Sequence, residues 1–330
     1  MDKELLINVF SEFGGNLKAK NGALDDLMSQ VEQHNPWFTI ENQEIMIDQF
    51  IEQYFDKNAL TNWLELYPEP VTSPKTVGMV LAGNVPFVGM HDILCVLAAG
   101  HNAQAKLSSK DTLFYVWLKK MLNNIHPDLA DRFLITEQLS SPDAVIATGS
   151  NNTSRYFEYY FGKMPHIFRK NRTSVAIITG DESEEDLMNL GKDVFTYFGM
   201  GCRNVGKLLL PQGYTPTDLL DLWQPYSYLG DHNKYKNNLD YNLTLAMLNN
   251  EHPYASDFLI LKETEQWHAP LATVYYSFYN NESETDNLPH DELQCVVSNK
   301  EGHVPFGETQ KPTLTDYADH IDTMNFLHDL

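Results

Sequence analysis

Thr76-Val-Gly-Met-Val-Leu-Ala-Gly-Asn-Val-Pro86 decides how this chain of 330 residues folds. The run Thr76–Ala82 is apolar without alternation and too short for a helix, the pattern of a strand buried on both faces. Gly83-Asn84-Val85-Pro86 then turns the chain, and the apolar stretch that continues to Ala99 has the length of a helix. A buried strand that runs through a tight turn into a helix is the first half of a β-α-β unit. Short strands are expected at 103–106, 133–136, 144–147 and 175–178, with helical segments between them. Ser183–Phe198 reads as a helix whose acidic first turn suits its N-terminal dipole. This rhythm predicts an α/β fold with parallel sheet and helices on both faces.

Outside this region the pattern changes. Residues 1 to about 70 read as helical, with apolar positions at three- and four-residue spacing in Asp25–Val31 and Ile45–Ile51, until Pro68, Pro70 and Pro74 break the pattern. After Pro211 strands are expected at 259–262, 271–276 and 293–298, with a polar loop at 280–290. The chain is 42% hydrophobic, enough for a sizeable core, and its length suggests two domains. The formal charge of −22 argues against a nucleic-acid partner and requires any anionic ligand to find a locally positive pocket. No apolar run is long enough for a membrane span, and Met1-Asp-Lys-Glu4 lacks the order of a secretory signal. Three widely spaced cysteines, Cys95, Cys202 and Cys295, give no metal-ligand spacing and suit a reduced, cytoplasmic protein.

Three strand ends carry polar groups, and strand ends are where ligands bind in such sheets. At the first, Asn84 either caps the following helix or points its amide at an oxyanion. At the second, Lys106-Leu-Ser108-Ser109-Lys110 offers two cations and two hydroxyls, with Lys106 the better candidate for phosphate or ribose and Lys110 a candidate solvated side chain. At the third, Thr148-Gly149-Ser150 either holds a phosphate at a helix N-terminus or caps that helix. Cys202, within Gly199-Met-Gly-Cys-Arg-Asn204, is a thiol among small residues ahead of an apolar strand. It is either a nucleophile or an inert buried cysteine. Gly201–Lys207 imitates the start of a P-loop, but Leu208 stands where a Ser or Thr belongs and a strand follows instead of a helix.

In this order and at this spacing, the Gly-Asn-Val-Pro turn, the Lys-x-Ser-Ser strand end, the Thr-Gly-Ser turn and Gly-x-Gly-Cys resemble the aldehyde dehydrogenase superfamily. Within it they are most similar to the LuxC-type acyl-CoA reductases, and Val304-Pro-Phe-Gly-Glu-Thr-Gln310 with Asp316–Asp322 looks like the closing signature of short bacterial members. The resemblance implies two parallel-sheet α/β domains with the active site at their interface: a cofactor domain over 1–178, a catalytic domain over 179–300, and a tail over 301–330 that returns to the first domain or to a partner subunit in a homo-oligomer. It implies that Cys202 attacks an acyl-CoA or other acyl thioester, that Asn84 and the Cys202 N–H stabilise the oxyanion, and that NADPH, with NADH as the second candidate, supplies hydride. Lys106, Ser108, Ser109, Thr148, Gly149 and Ser150 are the implied coenzyme residues. Glu265 is the nearest match to the glutamate that contacts the nicotinamide ribose, with one extra residue before Pro270.

Two departures from the resemblance matter. Oxidising relatives carry a glutamate that activates water, whereas Phe168-Arg169-Lys170-Asn171-Arg172-Thr-Ser-Val175 has no carboxylate. A missing hydrolytic base suits an enzyme that reduces its thioacyl intermediate. Arg169, Lys170 and Arg172 become candidates for attracting CoA phosphates or favouring the Cys202 thiolate, or else for a solvated loop. Ser109 stands where NAD-preferring relatives often have a glutamate, which predicts a preference for NADPH. Two other readings stay open: a cysteine-dependent acyl hydrolase or thioesterase, and a catalytically silent scaffold of the same fold. No metal is expected.

Overall fold

The computed structural model describes residues 1–19, 22–149 and 151–330, the side chains of residues 151 and 152 excepted. The chain forms two compact units, one comprising 1–171 and 312–330, the other 172–311.

The first unit holds five parallel strands: β1 (Thr76–Val80), β2 (Asn102–Lys106), β3 (Phe133–Thr136), β4 (Ala144–Thr148) and β5 (His166–Arg169). Their order is β3-β2-β1-β4-β5, so the winding reverses between β1 and β4. Such a reversal opens a crevice beyond the carboxyl ends of those two strands. Val77 and Met79 are fully buried, as the unbroken apolar run requires, and so is nearly the whole helix Met90–Ala98. The N-terminal region is helical over Lys3–Lys18, Gly22–His34, Ile40–Gln49 and Lys57–Glu65, with a π-helical turn at Phe50–Tyr54. Asp2 and Asp56 cap two of these helices by accepting from backbone N–H groups. The chain end closes on this unit: Trp63 Nε1 donates to the Tyr317 hydroxyl at 2.8 Å, and Tyr67 donates to Asp322 at 3.0 Å.

β5 is a strand where the sequence suggested a loop. Ile167 and Arg169 point inward and His166 and Phe168 are half-buried, a four-residue alternation too short to stand out beside Lys163 and Lys170.

The second unit contains β6 (Thr173–Ile177), β7 (Val205–Pro211), β8 (Tyr254–Ala255), β9 (Ile260–Glu263), β10 (Thr273–Tyr279) and β11 (Leu293–Val297), in the order β11-β6-β7-β10-β9-β8. All pairs are parallel except β8 with β9, so this sheet is mixed at one edge. β6 pairs with β7 and β11, which puts the division of the chain at 171/172, ahead of the expected 178. Residues 301–311 also stay with this unit: buried Asp193 accepts from Gly307 N, Thr309 N and the Thr309 hydroxyl. The helix that starts with a Ser183/Asp186 capping box ends at Phe195 and not at Phe198. Tyr197 and Phe198 have φ of 55° and 58°, which no α-helix accommodates. Residues 211–255, unclear from sequence, include a helix at Asn233–Leu248 that buries only Tyr235, Leu239 and Ala246, too sparse a pattern to read. Among the described residues no helix is long and apolar enough to cross a membrane, and no group of His, Cys, Asp or Glu could hold a metal ion.

Candidate functional site

Register brings the strand ends of the first unit together. Val80 lies opposite Lys106 on one side and Ala147 on the other, so the segments after β1, β2 and β4 leave the sheet side by side. A Cβ on Gly83 would overlap the Ser108 hydroxyl, so the close approach of the first two turns requires glycine there. The second turn is closed by Asp111 N–H donating to Ser108 O at 3.0 Å. Lys106, Ser109 and Lys110 are exposed, and Ser108 is half-buried against Gly83. His34, the last residue of its helix, donates from Nε2 to Ser109 O at 2.8 Å, because a carbonyl can only accept.

The first turn is held from within. Phe87, buried with φ of 57°, donates its N–H to Asp111 Oδ2 at 2.8 Å, and Gly89 N–H donates to the Tyr115 hydroxyl at 2.8 Å. The following helix therefore starts at Met90 with Gly89 as its cap. Asn84 is exposed and lies well ahead of that cap, which removes the reading of Asn84 as the helix cap.

Burial pushes the Asp111 carboxyl up to about 7, against the opposing effect of the Phe87 donor. An unfolded aspartate releases its proton near pH ~4. Stability from the protonated form is thus fully present below that pH and is lost as pH rises through about 7. Asp111→Asn keeps an acceptor for Phe87 and cannot ionise. Between pH 5 and pH 8 it is expected to gain about 3 kcal/mol over the wild type in urea unfolding. A difference independent of pH counts against this assignment.

At the third turn Gly149 N–H donates to Arg169 O at 3.3 Å, and a Cβ there would crowd Thr153 and Phe157 of the helix Asn151–Phe161. Thr148 and Gly149 thus meet the N-terminus of that helix, a place suited to a phosphate. Ser150 lies outside the described residues.

The basic run that begins at the last residue of β5 is used differently from expectation. Arg169 is 6% exposed; its Nη1 pairs with Asp92 at 2.5 Å and its Nη2 donates to the Thr323 hydroxyl at 2.9 Å. It is therefore neither on a solvated loop nor available to a CoA phosphate. Arg172 donates to His290 O and Leu293 O at 2.9 and 2.8 Å, tying the start of β6 to β11. Lys170 alone of the three is exposed.

In the second unit Cys202 is half-buried in a loop with left-handed backbone at Tyr197, Phe198 and Gly199. Its flanking peptides are fixed by two residues that sequence reasoning missed. The Ser174 hydroxyl, fully buried in β6, donates to Cys202 O at 3.0 Å and accepts from Cys295 N at 3.1 Å. Asn204 Oδ1 accepts from Gly201 N at 2.8 Å, while its Nδ2 donates to Asp193 O at 3.0 Å and Thr196 O at 2.8 Å. Asn204 thereby satisfies carbonyls at the end of the preceding helix and closes the loop in one step. The available signals were a serine next to the apolar run Val175–Ile178 and an asparagine two residues past the thiol.

Lys207, where the false P-loop places its lysine, lies buried within β7. It donates to Thr264 O and stands 5.8 Å from the Trp267 ring centre. Burial lowers it to about 8, against the nearby Glu265 and Glu263. This lysine thus draws the loop carrying exposed Glu265 onto the strand that follows Cys202.

No family model matches the sequence. No curated protein matches it either. Solved structures match it over nearly its whole length. Aldehyde dehydrogenase 21 of Physcomitrella patens, in complex with the reaction product succinate, is 12% identical with a TM-score of 0.72, covering 100% of this chain and 84% of its own. Propionaldehyde dehydrogenase of Rhodopseudomonas palustris with bound propionyl-CoA is 10% identical with a TM-score of 0.62, covering 91% and 77%. An engineered glycolyl-CoA reductase with bound NADP+ is 10% identical with a TM-score of 0.61, covering 91% and 78%. At such identities the likeness is one of architecture, and this chain has the aldehyde dehydrogenase fold.

Proposed function

We propose that the protein is a nicotinamide-dependent oxidoreductase that reduces an acyl thioester, an acyl-CoA above all, to the aldehyde through a thioacyl group on Cys202. The observation that carries this reading is the half-buried Cys202 held by Ser174 and Asn204 on both sides, in the fold of aldehyde dehydrogenases. Structural likeness to a protein with bound propionyl-CoA and to a glycolyl-CoA reductase supports the thioester substrate.

Cys202 attacks the acyl carbonyl as thiolate, its new C–S bond replacing the one to CoA, which leaves as the CoA thiolate and takes its proton from solvent. The Asn84 amide and the Cys202 N–H stabilise the oxyanion, with one side-chain donor worth about 3–4 kcal/mol in such sites. A bound nicotinamide coenzyme supplies the hydride for reduction of the thioester. Cys202 is then released as thiolate when the C–S bond breaks and the aldehyde forms. The first unit's turns fit that coenzyme: the glycine at 83 allows two strand ends to touch, and Lys106, Ser109 and Lys110 are exposed beside them. Thr148 and Gly149 add a helix N-terminus for its phosphates, and Glu265 is the proposed contact to the nicotinamide ribose. Lys170 is the remaining candidate for a CoA phosphate.

The stretch 168–175 has no carboxylate to activate water. The acyl-enzyme is therefore expected to persist when coenzyme is withheld, and to be consumed within one turnover once NADPH is added. Quenched-flow mass measurement checks both. Rapid release of free acid without coenzyme would overturn the reading in favour of a thioesterase.

A further inference from the structure

The second turn of the first unit is cationic in a strongly acidic chain. Between 106 and 111 the side chains of Lys106 and Lys110 are exposed, and the one acid, Asp111, is buried and accepts from Phe87 N. A third basic side chain reaches this turn from a distant part of the sequence. His34 donates from Nε2 to Ser109 O, 75 residues away, and its ring is exposed. That bond fixes the tautomer. With the proton on Nε2, Nδ1 is an acceptor in the neutral ring and becomes a second N–H donor when the ring is protonated.

We propose that His34 is a specificity-determining residue that lets this turn select a coenzyme bearing a 2′-phosphate, acting beside Lys106, Ser109 and Lys110. The proposal rests on the reading of this turn as the site for the adenosine end of the coenzyme. A 2′-phosphate brings extra negative charge and strong acceptors, which the two lysines and an imidazolium N–H can meet together. A 2′-hydroxyl gains little from the same groups. His34 thus supplies recognition where Ser109 only removes an obstacle. The tether to Ser109 O uses one ring nitrogen and leaves the other for the ligand.

Charged groups on the surrounding elements are Asp25, Asp26 and Glu32 on the same helix, Glu41, Glu44 and Asp48 on the helix Ile40–Gln49, and Lys119 and Lys120 on the helix Leu113–Ile125, with buried Asp111, pushed up to about 7, in the turn itself. Glu32 already accepts from Ile40 N at 3.2 Å. All of these are retained when only residue 34 is changed. The 2′-phosphate itself titrates near pH ~6, so proteins are compared at one pH at a time.

The test measures binding of NADPH, NADH, 2′,5′-ADP and 5′-ADP by calorimetry at pH 6.5 and 8.5, for the wild type, His34→Asn and His34→Lys. At pH 6.5 His34→Asn is expected to weaken NADPH and 2′,5′-ADP about fivefold, the scale of one partly exposed charge contact, and to leave NADH and 5′-ADP unchanged. His34→Lys is expected to keep NADPH tight at both pH values. Equal affinities for NADPH in wild type and His34→Asn overturn the proposal and leave the coenzyme site standing. Equal weakening of both coenzymes overturns it too, by reducing His34 to a tether. A wild type that binds neither coenzyme overturns the site and the proposal together.

Discussion

Cys202→Ala is expected to lower acyl-CoA-dependent oxidation of the coenzyme by at least about a thousandfold, the scale on which removal of a covalent nucleophile is felt. Coenzyme binding and the unfolding midpoint are expected to stay where they are. The bonds from Ser174 and Asn204 that shape this loop run to the Cys202 carbonyl and the Gly201 N–H, so the substitution leaves them intact. Cys95 and Cys295 are buried, which makes them poor substitutes as acyl acceptors. Intact mass after mixing with an acyl-CoA, with coenzyme withheld, reads the chemistry directly: the wild type gains the acyl mass and the variant does not. An adduct of equal yield on Cys202→Ala would sink the assignment, whatever the activity. Loss of activity with an unaltered adduct would place the defect after acylation and so away from the thiol.

What could be read in advance follows from how local each signal is. β1 was legible because a strand buried on both faces leaves a continuous apolar run, and the turn after it is marked by Gly83 and Pro86. The turns at Lys106 and Thr148 came with it, since both leave parallel strands at the same end of the sheet. Ser174 was hidden because its role depends on a carbonyl 28 residues further along and an N–H 121 residues away. Asp111 was hidden because its burial and its bond depend on the Phe87 N–H, 24 residues earlier in the chain. His34 sits at the end of a helix that gives no hint of the strand-end turn it reaches. The end of the helix at Phe195 was misjudged because two bulky aromatics, Tyr197 and Phe198, adopt the left-handed backbone usually left to glycine. Contacts of this kind are set by the tertiary fold and leave no period in the sequence.

Arg169 is the sharpest case, and its substitution carries the largest expected cost in stability. From the sequence it belonged to a basic run facing solvent or CoA; in the fold its guanidinium joins three elements of the first unit. β5 supplies it, Asp92 in the helix after β1 pairs with it, and Thr323 at the start of the C-terminal helix accepts from it. Both partners of the pair are almost fully buried, and Asp92 Oδ1 and Arg169 Nε have no further partner among the described residues. Removing the cation alone leaves a carboxylate in an apolar surround, a change that costs about 3–5 kcal/mol when a buried pair is broken on one side. Arg169→Met is therefore expected to lose that amount in urea unfolding of the whole chain. Asp92→Leu combined with Arg169→Met is expected to regain most of it, because the buried charge is then gone as well. Affinity for CoA, measured on whichever variant remains folded, is expected to match the wild type. If Arg169→Met unfolded within about 1 kcal/mol of the wild type while its KM for acyl-CoA rose, the guanidinium would be a ligand for the substrate and not a clamp on the fold.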